Sequence, residues 1–306
     1  MAKKKNVAVD EGMNTDGNRA INKFRISDAV MMLILVILCA TCVLPFIHLM
    51  AKSISGNAYV IAKQVAFWPK GINFDAYSSI FKDGGMVYSM IYSVIVTVIF
   101  TALGMAVCTC AAYPLSKKRL KGRTFFTFLL MFPMYFSAGL IPSYLLYKDL
   151  HMLDTMWVLI LPLIYSPYNM LIMKTNLQAS IPDSLEESAF LDGATNFQIL
   201  WKIVLPLSKP IIATLSLFYA VGRWNSYADN KYYIKSETLK MIQYKLSQLV
   251  SSAAEAQTAT LSEAVTSTPE VLQAAAIMFV TIPIICIYPF LQKYFVKGVM
   301  VGAVKG

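Results

Sequence analysis

The sequence predicts an all-α polytopic membrane protein, with six transmembrane helices and both termini on the cytoplasmic side. Three observations predict it. Of 306 residues, 57% are hydrophobic and only 14% are charged, whereas soluble domains carry about 25% charged residues. The apolar residues fall into six blocks, each long enough to cross ~30 Å of hydrocarbon as a helix. Most of the 27 Lys and Arg residues lie in alternate connections, beginning with the N-terminal one, and that bias marks cytoplasmic segments. Topology then accounts for the net charge of +10. No basic patch outside those connections points to nucleic acid.

Residues 1–28 are polar, with Lys3, Lys4, Lys5, Arg19, Lys23 and Arg25, and show no apolar periodicity. They read as a cytoplasmic tail. Residues 29–50 form the first span. The long polar lead-in and the lack of a small-residue cleavage site argue against a signal peptide. With the connection 52–85 outside the membrane, this span makes a segment 29–85. Its aromatics, among them Trp68, Phe74 and Tyr77, suit an interfacial belt or a contact surface.

Residues 86–291 make a second unit with five spans. The first, 86–113, is uncharged and rich in small residues, Gly104 among them, which let membrane helices approach closely. The loop 114–123 is basic, with Lys117, Lys118, Arg119, Lys121 and Arg123. Spans at 124–147 and 155–173 contain Pro133, Pro142, Pro162 and Pro167, which are expected to kink them. The last two spans are 207–227 and 271–291. The outer connection 228–270 is long and polar, with a helix expected over 240–250 and a flexible section after it. Residues 292–306 form a basic cytoplasmic tail. All five cysteines lie in apolar runs and are expected to pack there without disulfides.

The polar stretch 181–206 separates the fourth and fifth spans. Ser180 with Asp183, and Thr195 with Gln198, have capping-box spacing. Gly193 suits the left-handed turn that ends a helix. Two short helices joined at a bend are expected, lying against the inner membrane face. Ser188 and Ala189 make a shallow surface. Glu186, Glu187 and Asp192 offer carboxylates to a partner's basic side chains. A helix lying on lipid would carry Lys and Arg instead, so the acidity favours a protein partner.

Glu187-Ser188-Ala189, Gly193, Ile203 and Leu205-Pro206 stand at the spacing of the EAA loop. In this respect the chain resembles the permease subunits of ATP-binding-cassette importers, whose pattern has Ala where Ser188 stands. The run SLEESAFLDGA and the C-terminal FVKGVMVGAVKG are similar to the sugar-importer class of maltose-permease type. The resemblance covers residues 86–306. It implies the transmembrane domain of a type I importer in a bacterial cytoplasmic membrane, with the stretch as a coupling helix. Glu186, Glu187, Ser188, Ala189, Leu191, Asp192, Gly193 and Ala194 would dock in a cleft of a partner ATPase dimer. That partner, not this chain, would hold ATP and magnesium. A second homologous permease and an extracellular sugar-binding protein are the other implied partners. Closure of the ATPases would switch the spans from inward-open to outward-open. The chain would do no bond chemistry, and it contains no Walker A motif.

Candidates for a sugar path are Tyr135, Tyr168, Asn169, Tyr219, Arg223, Trp224 and Asn225. The aromatics suit a sugar face, and equally an interfacial belt. Arg223 suits an acidic sugar facing a water-filled path, and equally a side chain that snorkels to the outer surface. Carriage of another small solute is the alternative within the same class. A self-sufficient secondary transporter would want an acidic residue inside a span, and the spans carry none. An enzyme would want a cluster of acids or histidines. His48 and His151, the only two histidines, read as solvated or capping side chains, so no catalytic residue or metal ligand is assigned.

Overall fold

The computed structural model describes residues 26–259 and 268–303, with side chains described over 28–252, over 268–287 and at 289. The expectations for the N-terminal tail through 25, for 260–267 and for 304–306 fall outside these residues. So do those for the side chains of the C-terminal tail.

The first unit of the chain ends at Ile47 and the second begins at His48. Helix α1 (Ile26–Ser53) opens in the first unit, and its apolar side chains from Val30 to Leu38 are all exposed. The second unit continues with α2 (Asn57–Ile61), α3 (Asp75–Asp83), α4 (Gly85–Ser116), α5 (Arg123–Met131) and α6 (Leu140–Asp149). Then come α7 (Pro167–Ser180), α8 (Asp183–Leu191), α9 (Asn196–Ile199), α10 (Leu205–Leu207) and α11 (Lys209–Asn225). Helices α12 (Ala228–Tyr233), α13 (Ile242–Ala259) and α14 (Pro269–Ala303) complete it. Among the described residues the only β pairing is an isolated bridge between Ser55 and Ile72.

Among the described residues, three helical stretches are long and apolar enough to cross a membrane unbroken: Asp28–Ser53, Gly85–Ser116 and Pro269–Ile287. The block at 155–173 is not one kinked helix. Turns of 3-10 helix over Met156–Leu159 and Leu161–Leu163 meet α7 at 48°. Proline causes this break. Pro167 stands at the start of α7, where its missing N–H costs nothing, and Ser166 before it is extended and accepts the Asn169 amide at 3.3 Å. The block at 124–147 breaks as well. After α5, Phe132–Met134 tightens into 3-10 helix around Pro133, and α6 restarts after Gly139 at φ +84°. The chain into α11 turns by 82°, where Pro206 and Pro210 bracket Ser208.

Helix α4 is the axis of the second unit. Val96, Cys108 and Ala112 on it share one buried cluster with Met170, Met173 and Leu177 of α7 and with Leu215 and Tyr219 of α11. Gly104 is required at the α4–α11 contact: a Cβ there would lie 2.7 Å from the Tyr219 ring. A second cluster joins Ala51, Ile80, Met86, Ile242, Ala275 and Val280. Thus the connection 52–85, whose aromatics suggested a belt or a contact surface, also supplies core residues, Val60, Val65, Ala76 and Ile80. The helix expected over 240–250 runs from Ile242 to Ala259. It begins inside the body, where the Ile242 amide donates to Ser93 Oγ at 2.8 Å.

Candidate functional site

The acidic stretch folds as two short helices around a bend. Asp183 and Glu186 occupy the first turn of α8, where carboxylates face the positive end of the helix dipole. Gly193 has φ +80°. Its amide reaches the Phe190 carbonyl at 3.0 Å, and that of Ala194 reaches Ala189 at 2.9 Å, a paired closure that satisfies the last carbonyls of a helix. Thr195 then caps α9 reciprocally with Gln198, at 3.3 and 2.9 Å. The first capping box does not form. Ser180 ends α7, and Pro182 takes the cap position of α8. With Ile181 buried and extended, the turn comes two residues later than the spacing suggested.

Helical phase divides the eight docking candidates. Glu187, Ser188, Leu191, Asp192 and Gly193 are exposed, and Leu191 is 89% so. The Ser188 hydroxyl donates to the Ser184 carbonyl at 3.0 Å, so the surface there stays shallow. Ala194 is half-buried, and Glu186 and Ala189 are buried. Glu186 therefore does not present its carboxylate to a partner; it forms a buried ion pair with Lys117. Sequence reasoning missed Lys117, and also Arg119, which stacks on Phe190 at 4.3 Å and donates to Asn196 at 2.6 Å. The signal was present: Glu186 shares a face with Ala189 and Phe190, three and four residues on.

The sugar-path candidates separate similarly. Asn169, Tyr219 and Arg223 line one open cavity, together with Ser166, Ser226 and Phe100. Tyr135, Tyr168 and Asn225 lie on exposed surface, and Trp224 belongs to the second core cluster. Arg223 follows neither sequence reading. It does not snorkel, since its side chain is 0% exposed, and its guanidinium already holds a carboxylate, Asp229, at 2.5 Å. It also donates to the Leu159 carbonyl at 2.8 Å and lies over the Phe100 ring at 5.7 Å. A buried charge is tolerated only when paired, and Asp229, six residues on, is the partner the sequence reading overlooked.

Comparison with known proteins agrees with this architecture. The family model for the binding-protein-dependent transport system inner membrane component matches residues 108–301. The chain is 41% identical to the polygalacturonan/rhamnogalacturonan transport system permease protein YtcP of Bacillus subtilis, over 93% of this chain and 100% of that one. It is 40% identical to protein LplC of the same organism, over 87% of this chain and 90% of that one. A crystal structure of a bacterial ABC transporter involved in the import of the acidic polysaccharide alginate holds a similar chain. That chain is 32% identical, with a TM-score of 0.80, over 90% of this chain and 98% of that one. The chain thus belongs to the inner membrane components of binding-protein-dependent transport systems, as a transport subunit of the bacterial membrane rather than an enzyme.

Proposed function

We propose that the chain is the permease subunit of an ATP-driven importer that passes an oligosaccharide across the cell membrane. An extracellular binding protein would hand the sugar over. In this reading the chain crosses six times with both termini cytoplasmic, and the broken helices at 124–147 and 155–173 each count as one crossing. Helix α8 then lies on the cytoplasmic face and docks on one ATPase of a dimer, which holds ATP and magnesium. A second homologous permease completes the pathway. The cavity beside Asn169 and Tyr219 is its sugar-facing part in this chain, offering an amide, hydroxyls and aromatic faces. The transport systems named for the relatives support a carbohydrate.

The exposed face of α8 carries the reading. Leu191 projects beside Glu187 and Asp192 above a shallow Ser188. An apolar knob flanked by carboxylates suits a cleft with an apolar socket and a basic rim. The test is reconstitution with the partner ATPase, sister permease and binding protein in proteoliposomes. Glu187→Ala removes the charge; Gly193→Pro forbids the bend, since proline holds φ near −65° against the observed +80°. Both variants should insert normally and lose substrate-stimulated ATP hydrolysis. Undiminished stimulation in both would refute the docking assignment.

A further inference from the structure

Helix α8 is joined covalently to α7 and, through α9 and α10, to α11. Helix α4 has no such connection to it, yet α4 lines the cavity. Its Phe100 packs edge-on against Tyr219 at 5.8 Å, and its Gly104 meets the same ring. What joins α4 to α8 is the segment following α4. Lys117 pairs with Glu186, and both are over nine-tenths buried. The Lys117 ammonium also lies 5.1 Å from the centre of the Tyr113 ring, on the last turns of α4. Lys118 adds a second, exposed pair to Asp183 at 3.3 Å. Arg119 grips Phe190 before the bend and Asn196 after it. Three consecutive side chains therefore hold α8 and the start of α9 on both sides of Gly193.

We propose that the Lys117–Glu186 pair is the positioning link that passes movement of α8 to α4, and so to the cavity. The proposal rests on the reading of α8 as the ATPase-docking helix. Three physical arguments support it. A buried pair tolerates separation poorly, because each charge would be left desolvated, so α4 must follow α8. The stacked Arg119 keeps the two elements from sliding. Helix α4 is continuous over 32 residues, and its rise of 1.5 Å per residue puts Gly104 about 20 Å from Lys117. Pro114 lies within that length, but the helix runs on unbroken past it to Ser116, so a displacement at one end arrives at the Tyr219 contact without crossing a break between helices. By contrast, α7 and α11 each leave the α8 region for the cavity next to a break.

The test uses the assembled transporter in proteoliposomes, with five permease variants compared with wild type. Glu186→Gln retains an acceptor for Lys117 but removes its charge. Lys117→Glu inverts the pair, and Lys117→Glu with Glu186→Lys restores it in reverse. Glu187→Ala and Gly193→Pro report docking independently. The expected result is that Glu186→Gln keeps ATPase co-purifying at wild-type level, while substrate-stimulated hydrolysis and uptake fall at least fivefold. Lys117→Glu should lose at least tenfold, and the reversed pair should recover most of that loss. Full stimulation in Glu186→Gln and Lys117→Glu overturns the link. Loss of ATPase binding in step with activity also overturns it, because the pair would then only build the docking surface. If neither Glu186→Gln nor the reversed pair assembles, the pair is a folding element and the link is refuted. If Glu187→Ala is fully stimulated, and Gly193→Pro with it, the docking reading itself fails; if Glu187→Ala uncouples while the pair variants do not, only the link fails.

Discussion

The α8 stretch and the Arg223 cavity solve opposite problems with the same chemical groups. Around α8, the carboxylates of Asp183, Glu187 and Asp192 stand outward within ten residues of chain, and Glu186, next to Glu187, is turned in and neutralised by Lys117. At the cavity, the single charged side chain on the wall is wholly buried. Its partners come from separate places: Asp229 on α12, the Leu159 carbonyl, and the Phe100 ring on α4. In the proposed reading the first region meets another protein, and it keeps Glu187 and Asp192 exposed while Asp183 and Glu186 pair within the fold. The other spends its charge internally, so the wall of the cavity is set by neutral donors. The lesson is that a charge near a membrane span is not by itself a site for a charged ligand; its partners decide.

The largest stability effect should come from breaking the internal pair. Arg223→Ala leaves Asp229 buried and uncompensated, which costs about 3–5 kcal/mol. Arg223→Met with Asp229→Leu removes both charges and should regain most of that loss. Thermal unfolding in detergent reads both variants. A single variant as stable as wild type would mean the pair is not shielded from water. The matching experiment at α8, Glu187→Ala, should leave the melting curve within about 0.5 kcal/mol, as for an exposed side chain.

Two glycines sharpen the contrast. At Gly104 a Cβ would meet the Tyr219 ring at 2.7 Å. Gly104→Ala must therefore push α4 from α11, at about 1–3 kcal/mol, and should alter uptake through the cavity. At Gly193 nothing lies within 4 Å of an added Cβ, but φ is +80°. Gly193→Ala should cost only the left-handed penalty of about 1–2 kcal/mol. Its effect should fall on coupling and not on packing of the spans. Unfolding of the two variants, measured beside uptake and stimulated hydrolysis, separates the cases.

The two regions also differ in how much of them was legible from sequence. The α8 stretch could be read because its determinants are local. Gly193 and the Thr195–Gln198 box sit within a few residues of what they cap, and the motif spacing is contiguous. Even there, Ser180 misled, because Pro182 offers an extended cap of its own. The long apolar helices α1, α4 and α14 were legible from length and composition. The breaks at 124–147 and 155–173 were not, since a membrane helix can absorb a proline as a kink or stop at it, and neighbours make the choice. The cavity was half legible. Asn169, Tyr219 and Arg223 were singled out for their chemistry, but which side chains face one another across α4, α7 and α11 depends on helix rotation. Hence Tyr135, Tyr168 and Asn225 looked equivalent to them and are not neighbours of the same space.

The smallest predicted effect lies in the connection next to the cavity and tests how firmly that end is fastened. Asp154 accepts the Lys235 and Ser236 amides at 2.9 and 2.8 Å and the Ser236 hydroxyl at 2.6 Å. Its own amide donates to the Tyr233 carbonyl at 2.9 Å. The Ser236 hydroxyl, then the Ser236 amide, hold the Asp154 carboxyl below its ordinary range. A carboxyl lowered in the folded state stabilises it above the unfolded value, and that contribution fades as pH falls through the folded value. Amide exchange at Lys235 and Ser236 should accordingly be slow at neutral pH, after correction for intrinsic rates. It should quicken below the ordinary carboxylate range. In Asp154→Asn the side-chain oxygen still accepts but no longer titrates, so protection should be lower at neutral pH and insensitive to acid over that window. The group is largely solvated, which keeps the effect local and well under that of the Arg223 pair. Were acid to melt the whole chain in parallel with these two amides, the fastening would belong to the core and not to this loop.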